Sequence, residues 1–294
     1  MKYDEHAVVF NCADCRLLGI ATLPEAPAET GVLIVVGGPQ YRAGSHRQFT
    51  LLARQLAEHG IASLRFDYRG MGDSEGEMRN FESVDADIGA AIDILLKLVT
   101  GVHSVVIWGL CDAASAALYY AHTDTRVSGL ILLNPWVHTE AGESRARLKH
   151  YYLSRLMQRS FWTKLLSGKI VLSNSVGDLV KSAHSVVKGA GQITSALPVP
   201  RIGSPGYIDR MLDGMNRFQG KVLFILSGND LVASEFEYLV SHDRQWKKVC
   251  ASPRITQKKL HEANHTFSSQ FWRGEVEQWT VCSINKGHND AAGS

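Results

Sequence analysis

Residues 104–120 have the sequence SVVIWGLCDAASAALYY, and this stretch decides the fold. Its first five residues are mostly β-branched or aromatic, which is typical of a buried strand. Residues 109–113 follow at once, and the small residues after them favour a tightly packed helix. A strand that turns sharply into a small-residue helix is the layout of a nucleophile elbow, which raises one side chain at the carboxyl edge of the sheet. Here that side chain is the thiol of Cys111.

The elbow departs from the usual pattern at two positions. A serine normally stands at the centre with a glycine two residues later, whereas this chain has Cys111 and Ala113. Alanine is small enough for the turn, and cysteine is a competent nucleophile. The pentapeptide alone fits a buried structural cysteine equally well, because a free cysteine packs as a small hydrophobic residue. The rest of the sequence is needed to distinguish an elbow nucleophile from a buried structural cysteine.

Strands and helices alternate on both sides of the elbow. Two short strands near the N-terminus, 6–11 and 16–23, precede strands at 32–36, 61–66, 104–108, 127–133, 221–226 and 255–260. The connecting segments 45–59, 84–99, 113–122 and 234–245, and the final segment 269–284, have helical periodicity. Such alternation indicates right-handed βαβ units. The sequence therefore predicts an α/β fold in which helices flank a mostly parallel, eight-stranded sheet.

The alternation breaks between residues 138 and 219. This segment carries twelve Lys and Arg against five Asp and Glu, a net charge of +7, and three prolines near its end oppose regular structure. We interpret 138–219 as an insertion, 1–137 with 220–285 as the core, and 286–294 as a flexible tail. The positive charge of the insertion is typical of a solvated helix face, and docking of an acyl carrier protein or an anionic donor is the functional alternative.

Composition and charge narrow the function classes. The 294 residues are 45% hydrophobic and 20% charged, which is enough apolar material for one core. A net charge of +2 gives no overall attraction to nucleic acid, and no apolar run reaches the length of a membrane span. The odd number of cysteines, five, and an acidic N-terminus without a signal-peptide pattern predict a cytoplasmic protein with reduced thiols.

An elbow nucleophile needs a base and a carboxylate that orients it. In this architecture the acid and then the histidine follow the nucleophile along the chain, each in the loop after a later strand. Asp230 follows the strand at 221–226, and His265 follows the strand at 255–260. Each alone fits a structural role, as a helix N-cap or a loop residue. Together they favour a catalytic triad of Cys111, His265 and Asp230.

The developing oxyanion needs two backbone donors. The N–H of Asp112 lies at the predicted start of a helix, where the helix dipole also favours a thiolate at Cys111. The second donor is expected in the loop after the strand at 32–36. We favour Gln40 because Pro39 has no N–H, and Gly38 is the alternative.

Several motifs together resemble the α/β-hydrolase superfamily over nearly the whole chain. They are FDYRGMGDS at 66–74, the elbow, SGND at 227–230 and NH at 264–265. More narrowly, GGPQYR at 37–42 with GLCDAASA at 109–116 resembles hydrolase 1 of exosortase A systems, a group found beside bacterial exopolysaccharide genes. The resemblance implies a Cys-His-Asp hydrolase with a lid between the sixth and seventh strands, and we expect no cofactor.

The predicted activity is hydrolysis of an ester or thioester of a small acyl substrate through a covalent acyl-enzyme. An acyltransferase that moves the acyl group from a thioester donor to an alcohol or sugar is the first alternative. The second is a non-catalytic binding protein of the same fold with a vestigial Cys111. The sequence identifies no residue that lines the substrate pocket.

Two other motifs suggest metal chemistry. Residues 261–265, HEANH, match the zinc-protease pattern, which requires both histidines on one helix face. This segment follows a predicted strand, so we expect no zinc site there. Cys12 and Cys15 form a lone CxxC within a predicted hairpin, and without a second pair they do not predict a metal site.

Overall fold

The computed structural model of the protein describes residues 2–38, 40–138 and 206–291. Within them one sheet contains β1 (Tyr3–Cys12), β2 (Cys15–Pro24), β3 (Thr30–Val35), β4 (Ser63–Phe66), β5 (Ser104–Leu110), β6 (Val127–Leu133), β7 (Lys221–Ser227) and β8 (Ile255–Leu260). The spatial order is β1-β2-β4-β3-β5-β6-β7-β8. β2 is antiparallel to β1 and β4, and all other pairs are parallel. The predicted α/β fold with a mostly parallel sheet is confirmed.

The position of each strand follows from its composition. β3, with the sequence TGVLIV, is buried at every residue and lies between two parallel partners. Parallel strands covered on both faces need such continuous apolar runs. β1 and β8 form the two edges of the sheet, and both keep several exposed side chains.

The helices are α1 (Gln48–Glu58), α2 (Asp85–Leu98), α3 (Asp112–Tyr120), α4 (Tyr207–Arg217), α5 (Leu231–His242), α6 (Arg244–Cys250) and α7 (Gln270–Ala291). α1 and α7 share one core cluster with the central strands, in which Phe49 packs edge-on against Trp108. α2 contacts β3, β4 and α3. No helix in the described ranges has the length and apolarity needed to cross a bilayer.

Helix α4 lies within the segment that the sequence assigned to the insertion. It packs on α3, where the hydroxyl of Tyr119 donates to the carbonyl of Tyr207 at 2.9 Å. The guanidinium of Arg210 lies 5.0 Å from the centre of the Tyr119 ring and pairs with Glu82. Residues 206–219 therefore belong to the same compact unit as the core. The rest of the predicted lid, 139–205, lies outside the described residues, together with most of the proposed basic surface.

The C-terminal helix is longer than the sequence predicted. α7 continues through Ala291, six residues into the segment that we expected to be a flexible tail. Residues 286–291 contain one glycine but no proline, so no residue among them forces the helix to end. Residues 292–294 lie outside the described ranges.

Candidate active site

Cys111 occupies the sharp turn between β5 and α3. Its φ of 63° and ψ of −124° place a non-glycine residue in a strained backbone region. The turn is fixed by its neighbours, because the N–H of Cys111 donates to the carbonyl of Leu133 at 2.9 Å and its carbonyl accepts from the N–H of Trp136 at 3.2 Å. A Cβ on Gly109 would lie 2.8 Å from the backbone of Ala113. The small residues thus allow α3 to pack directly over the end of β5.

Asp230 and His265 meet across the loops that follow β7 and β8. Nδ1 of His265 lies 2.9 Å from Oδ2 of Asp230. The same carboxylate oxygen caps α5 by accepting from the N–H of Ala233 at 3.0 Å. Asp230 is 8% exposed, so its charge is held mainly by these contacts. The carboxylate favours the tautomer with the proton on Nδ1, which leaves Nε2 available as a base.

A buried asparagine holds the histidine loop in place. Asn134 follows β6, is fully buried, and has a φ of 43°. Its Nδ2 donates to the carbonyl of His265 at 3.0 Å and to Oγ of Ser227 at 2.7 Å. Its Oδ1 accepts from the N–H of Ser227 at 2.9 Å. Asn134 is not among the site residues predicted from the sequence, although an Asn-Pro pair directly after a strand is a signal for a turn at this edge.

The end of β6 connects the elbow to the histidine loop. Leu133 accepts from the N–H of Cys111, and the next residue, Asn134, donates to the carbonyl of His265. Within the part of the chain that the structure describes, no hydrogen bond joins the thiol of Cys111 to the imidazole of His265. Such bonds are often long in unliganded sites and shorten when substrate binds. The structure therefore brings Asp230 and His265 into direct contact and places Cys111 at the same edge of the sheet.

The electrostatics of the thiol differ from the sequence expectation. Burial is the largest of the effects that raise the pKa of the Cys111 thiol, and the negative charges of Asp112 and Asp230 raise it further. The N–H of Asp112 opposes this rise but does not outweigh it. Desolvation thus outweighs the N–H at the helix start, so these surroundings favour the protonated thiol over the expected thiolate.

The candidate oxyanion donors lie in different surroundings. The N–H of Asp112 faces the sulfur of Cys111. The N–H of Gly38 faces the carboxylate of Asp112. No hydrogen bond within the described residues uses the N–H of Gln40, whose side-chain Oε1 accepts from the N–H of Ser45 at 3.2 Å. The N–H of Gln40 is therefore the more available candidate for the second donor, because that of Gly38 already faces a carboxylate.

The loop that carries Gln40 is tied to the loop after β4. Asp67 is fully buried and accepts from the N–H of Arg42 at 2.6 Å and from its guanidinium. Nη2 of Arg42 also lies 2.7 Å from Oδ2 of Asp73. Charge-assisted bonds of this kind fix loop geometry. The FDYRGMGDS motif thus contributes an anchor for the neighbouring loop, a role that its sequence did not reveal.

The segment 261–265 follows β8 as turns and irregular backbone, not as a helix. Its two histidines therefore do not share the helix face that the zinc-protease pattern requires. Within 2–38, 40–138 and 206–291, no three His, Cys, Asp or Glu side chains are grouped as metal ligands. Cys12 and Cys15 lie opposite each other in the β1–β2 hairpin, and both are free thiols.

Comparisons with known proteins agree with this architecture. The family Hydrolase_4, described as serine aminopeptidase, S33, matches residues 29–267. The chain is 31% identical over 102 residues to the polyketide transferase grgF of Penicillium sp, covering 32% of this chain and 33% of the relative. It is 27% identical over 247 residues to the quorum-quenching protein AidA of Acinetobacter baumannii, covering 77% of this chain and 79% of the relative. The chain spans about a third or less of the length of the first two curated relatives that it matches.

Solved structures show the same fold at low identity. The esterase Pf2001 of Pyrococcus furiosus superimposes with a TM-score of 0.64 at 15% identity, covering 98% of this chain and 92% of that one. The α/β hydrolase GrgF from Penicillium sp. sh18 gives a TM-score of 0.59 at 18% identity, covering 97% of this chain and 98% of that one. At these identities the likeness extends to the fold alone.

Proposed function

This chain belongs to the Hydrolase_4 family of α/β hydrolases, and on that premise we propose that it hydrolyses esters or thioesters of a small acyl substrate with Cys111 as nucleophile. One observation carries the proposal. His265 is hydrogen-bonded to buried Asp230 at 2.9 Å, at the same edge of the sheet as the strained elbow of Cys111. A base oriented in this way has no evident use in a binding protein.

The first half of the reaction acylates the enzyme. Nε2 of His265 removes the proton from the thiol of Cys111, and the sulfur attacks the carbonyl carbon of the substrate. The N–H of Asp112 and that of Gln40 or Gly38 stabilise the resulting oxyanion. The tetrahedral intermediate expels the alcohol or thiol, which takes the proton from His265. Because the resting thiol is neutral, proton removal by His265 is required in this step.

The second half releases the product. Nε2 of His265 takes a proton from water, and the hydroxide oxygen attacks the acyl carbon on Cys111. The intermediate then breaks the carbon–sulfur bond, and the sulfur recovers its proton from His265. Asp230 keeps the imidazole oriented throughout and stabilises its positive charge. A carboxylic acid leaves, and the free thiol is restored.

A cysteine nucleophile favours activated substrates. The acyl-enzyme is itself a thioester, so exchange with a thioester donor is close to thermoneutral. An amide has a much poorer leaving group, because its nitrogen has to be protonated before it departs. We therefore expect thioesters and activated esters to react faster than peptides, although the family description names an aminopeptidase.

Acyl transfer is a second candidate, supported by one comparison. The relative that is 31% identical over 102 residues is named a polyketide transferase. Transfer uses the same acyl-enzyme, with an alcohol in place of water in the second half. The resemblance of the motifs at 37–42 and 109–116 to the exosortase-associated group supports an acceptor in bacterial exopolysaccharide synthesis. The excess of positive charge in segment 138–219 supports an acyl carrier protein or an anionic donor as partner, and the odd number of cysteines supports a cytoplasmic reaction.

The test compares Cys111→Ala with the native enzyme on a panel of acyl thioesters, p-nitrophenyl esters and aminoacyl amides. We expect thioesters and activated esters to be hydrolysed and the alanine variant to lose this activity. Rapid quenching followed by mass spectrometry of intact protein should reveal the acyl group on Cys111. Full activity in Cys111→Ala would show that the proposal is wrong.

A matched control uses another cysteine. Cys250 in α6 is partly buried, and burial raises the pKa of its thiol to about 11. Cys250→Ala should retain activity and should acquire no less acyl label than the native protein. Adding glycerol or a simple sugar during turnover separates the two candidates. A hydrolase releases only the acid, whereas a transferase forms the new ester.

A further inference from the structure

Asp112 contributes its backbone to the proposed mechanism, but its side chain has no role there. The side chain is 7% exposed at the first position of α3, directly after the nucleophile. Its Oδ1 has no hydrogen-bond partner among the described residues. A buried carboxylate oxygen without a partner is energetically costly, so its presence beside a reactive residue calls for a functional explanation.

The loop after β3 is shaped around this carboxylate. A Cβ on Gly37 would lie 2.3 Å from Oδ1 of Asp112 and 2.4 Å from the carbonyl oxygen of Leu110, so only glycine fits between this side chain and the end of β5. The N–H groups of Gly38 and Ala113 face the same carboxylate and favour its ionised form. The charge of Asp112 therefore lies between the nucleophile and the loop that carries a candidate oxyanion donor.

The titratable groups around Asp112 come from several elements. Cys111 precedes it at the elbow, Tyr68 faces it from the loop after β4, and His265 faces it from the loop after β8. The remaining charge that acts on the thiol is Asp230. His265 is the only one of these groups that could carry a positive charge, so the thiol has more negative than positive charge around it.

We propose that the side chain of Asp112 is a brake on the nucleophile: its negative charge keeps Cys111 as a thiol, and neutralising that charge makes the thiol reactive. This inference rests on the proposed role of Cys111. It makes Asp112 a positioning residue that acts through the sulfur. Burial raises the pKa of the Asp112 carboxyl to about 6, so the side chain carries its negative charge at neutral pH. A resting thiol also reacts more slowly with oxidants than a thiolate.

The test measures alkylation of Cys111 by iodoacetamide as a function of pH, in Asp112→Asn and in the native protein. Alkylation follows the thiolate fraction, so the midpoint of the profile reports the pKa of the thiol. We expect the midpoint to fall by about one pH unit or more, with roughly tenfold faster alkylation at pH 7.5. Alkylation of Cys250 in the same samples should not change and serves as the internal control.

An unchanged midpoint, or a higher one, would show that the charge of Asp112 does not suppress the reactivity of the Cys111 thiol. A higher midpoint would instead indicate that Asp112 accepts the proton of the thiol. Asp112→Ser is a smaller neutral variant that fits the space beside Gly37, and it carries the same test if the asparagine variant folds poorly. The measurement needs no substrate. A negative alkylation result is therefore distinct from failure of the proposed function, which is tested by the activity of Cys111→Ala.

Discussion

Asp230 and Asp112 are buried to nearly the same extent, at 8% and 7% exposure, and both lie at the carboxyl edge of the sheet. Their surroundings differ. Oδ2 of Asp230 contacts Nδ1 of His265 and the N–H of Ala233. Oδ1 of Asp112 has no partner within the described part of the chain, and its carboxyl pKa is raised to about 6 by burial. Asp230 is hydrogen-bonded on the oxygen that faces His265, whereas ionisation of Asp112 in its buried site costs free energy.

A buried carboxylate can act on a site in two ways, through hydrogen bonds or through the electric field of its charge. In the proposed mechanism Asp230 orients His265 through a hydrogen bond that fixes one tautomer of the imidazole. The charge of Asp112 acts mainly through its field on the neighbouring sulfur, since a low-dielectric interior transmits that field strongly. Substitution at Asp230 should therefore change catalysis, and substitution at Asp112 should change titration and stability.

The largest effect is expected at Asp230, the acid of the proposed triad. Asp230→Asn should lower kcat/KM for an acyl thioester by a factor on the order of 10³ to 10⁴, because an amide does not hold the required histidine tautomer. Asparagine can still cap α5, so the fold should survive. Steady-state kinetics and a thermal melt of the same samples provide the check.

Asp243→Asn is the matched control for the capping role. Asp243 caps α6 by accepting from the N–H groups of Gln245 and Trp246 at 2.8 and 3.0 Å, and it lies outside the site. This variant should keep kcat/KM within about twofold of the native value, because asparagine preserves the helix cap and Asp243 makes no catalytic contact. An equal loss in both variants would assign the effect to the helix caps and remove the contrast between the two aspartates.

The sequence predicted the acid and the histidine because each follows a strand of a parallel sheet. The carboxyl ends of such strands meet at one edge, so chain order alone places Asp230 and His265 close together. The hydrogen bond between them agrees with that placement. The same reasoning located the elbow at Cys111. These features depend on short local patterns and on the direction of the strands.

The state of the thiol and the role of Asn134 could not be predicted in this way. Asn134 contacts His265 across 131 positions of sequence, through a side chain that a left-handed turn directs inward. The pKa of the Cys111 thiol depends on how completely several loops exclude water from it. Both properties arise from tertiary packing, which periodicity and propensity do not encode. The position of α4 on α3 is unpredictable for the same reason.

A second effect should appear in the network that supports His265. Asn134→Ala removes three hydrogen bonds, two of them buried, that satisfy the carbonyl of His265 and the polar groups of Ser227. We expect the free energy of unfolding to fall by about 4 kcal/mol, since each unsatisfied buried group costs about 1–3 kcal/mol. Urea denaturation at pH 7 measures this change.

Asn264→Ala is the control for that loss. Asn264 also bridges a serine, donating to Oγ of Ser268 at 2.8 Å and accepting from its N–H at 3.1 Å, but it is only partly buried. Water can replace these bonds, so the expected loss is about 1 kcal/mol. If the two variants lost equal stability, the buried network around Asn134 would not be what fixes the histidine loop.

The smallest expected effect is a gain in stability, and this sign distinguishes Asp112 from the other residues tested. The carboxyl pKa is raised to about 6 from an ordinary value of 3.8, so the folded protein binds this proton more tightly than the unfolded chain. Ionisation of Asp112 therefore lowers the free energy of unfolding as the pH rises from about 4 to 6, and the full cost persists above that range. Asp112→Asn should raise the free energy of unfolding by about 3 kcal/mol at pH 8 and leave it unchanged below pH 4. Urea denaturation at both pH values tests this expectation. A stability difference that is independent of pH, or a loss of stability at pH 8, would show that ionisation of Asp112 does not destabilise the folded protein.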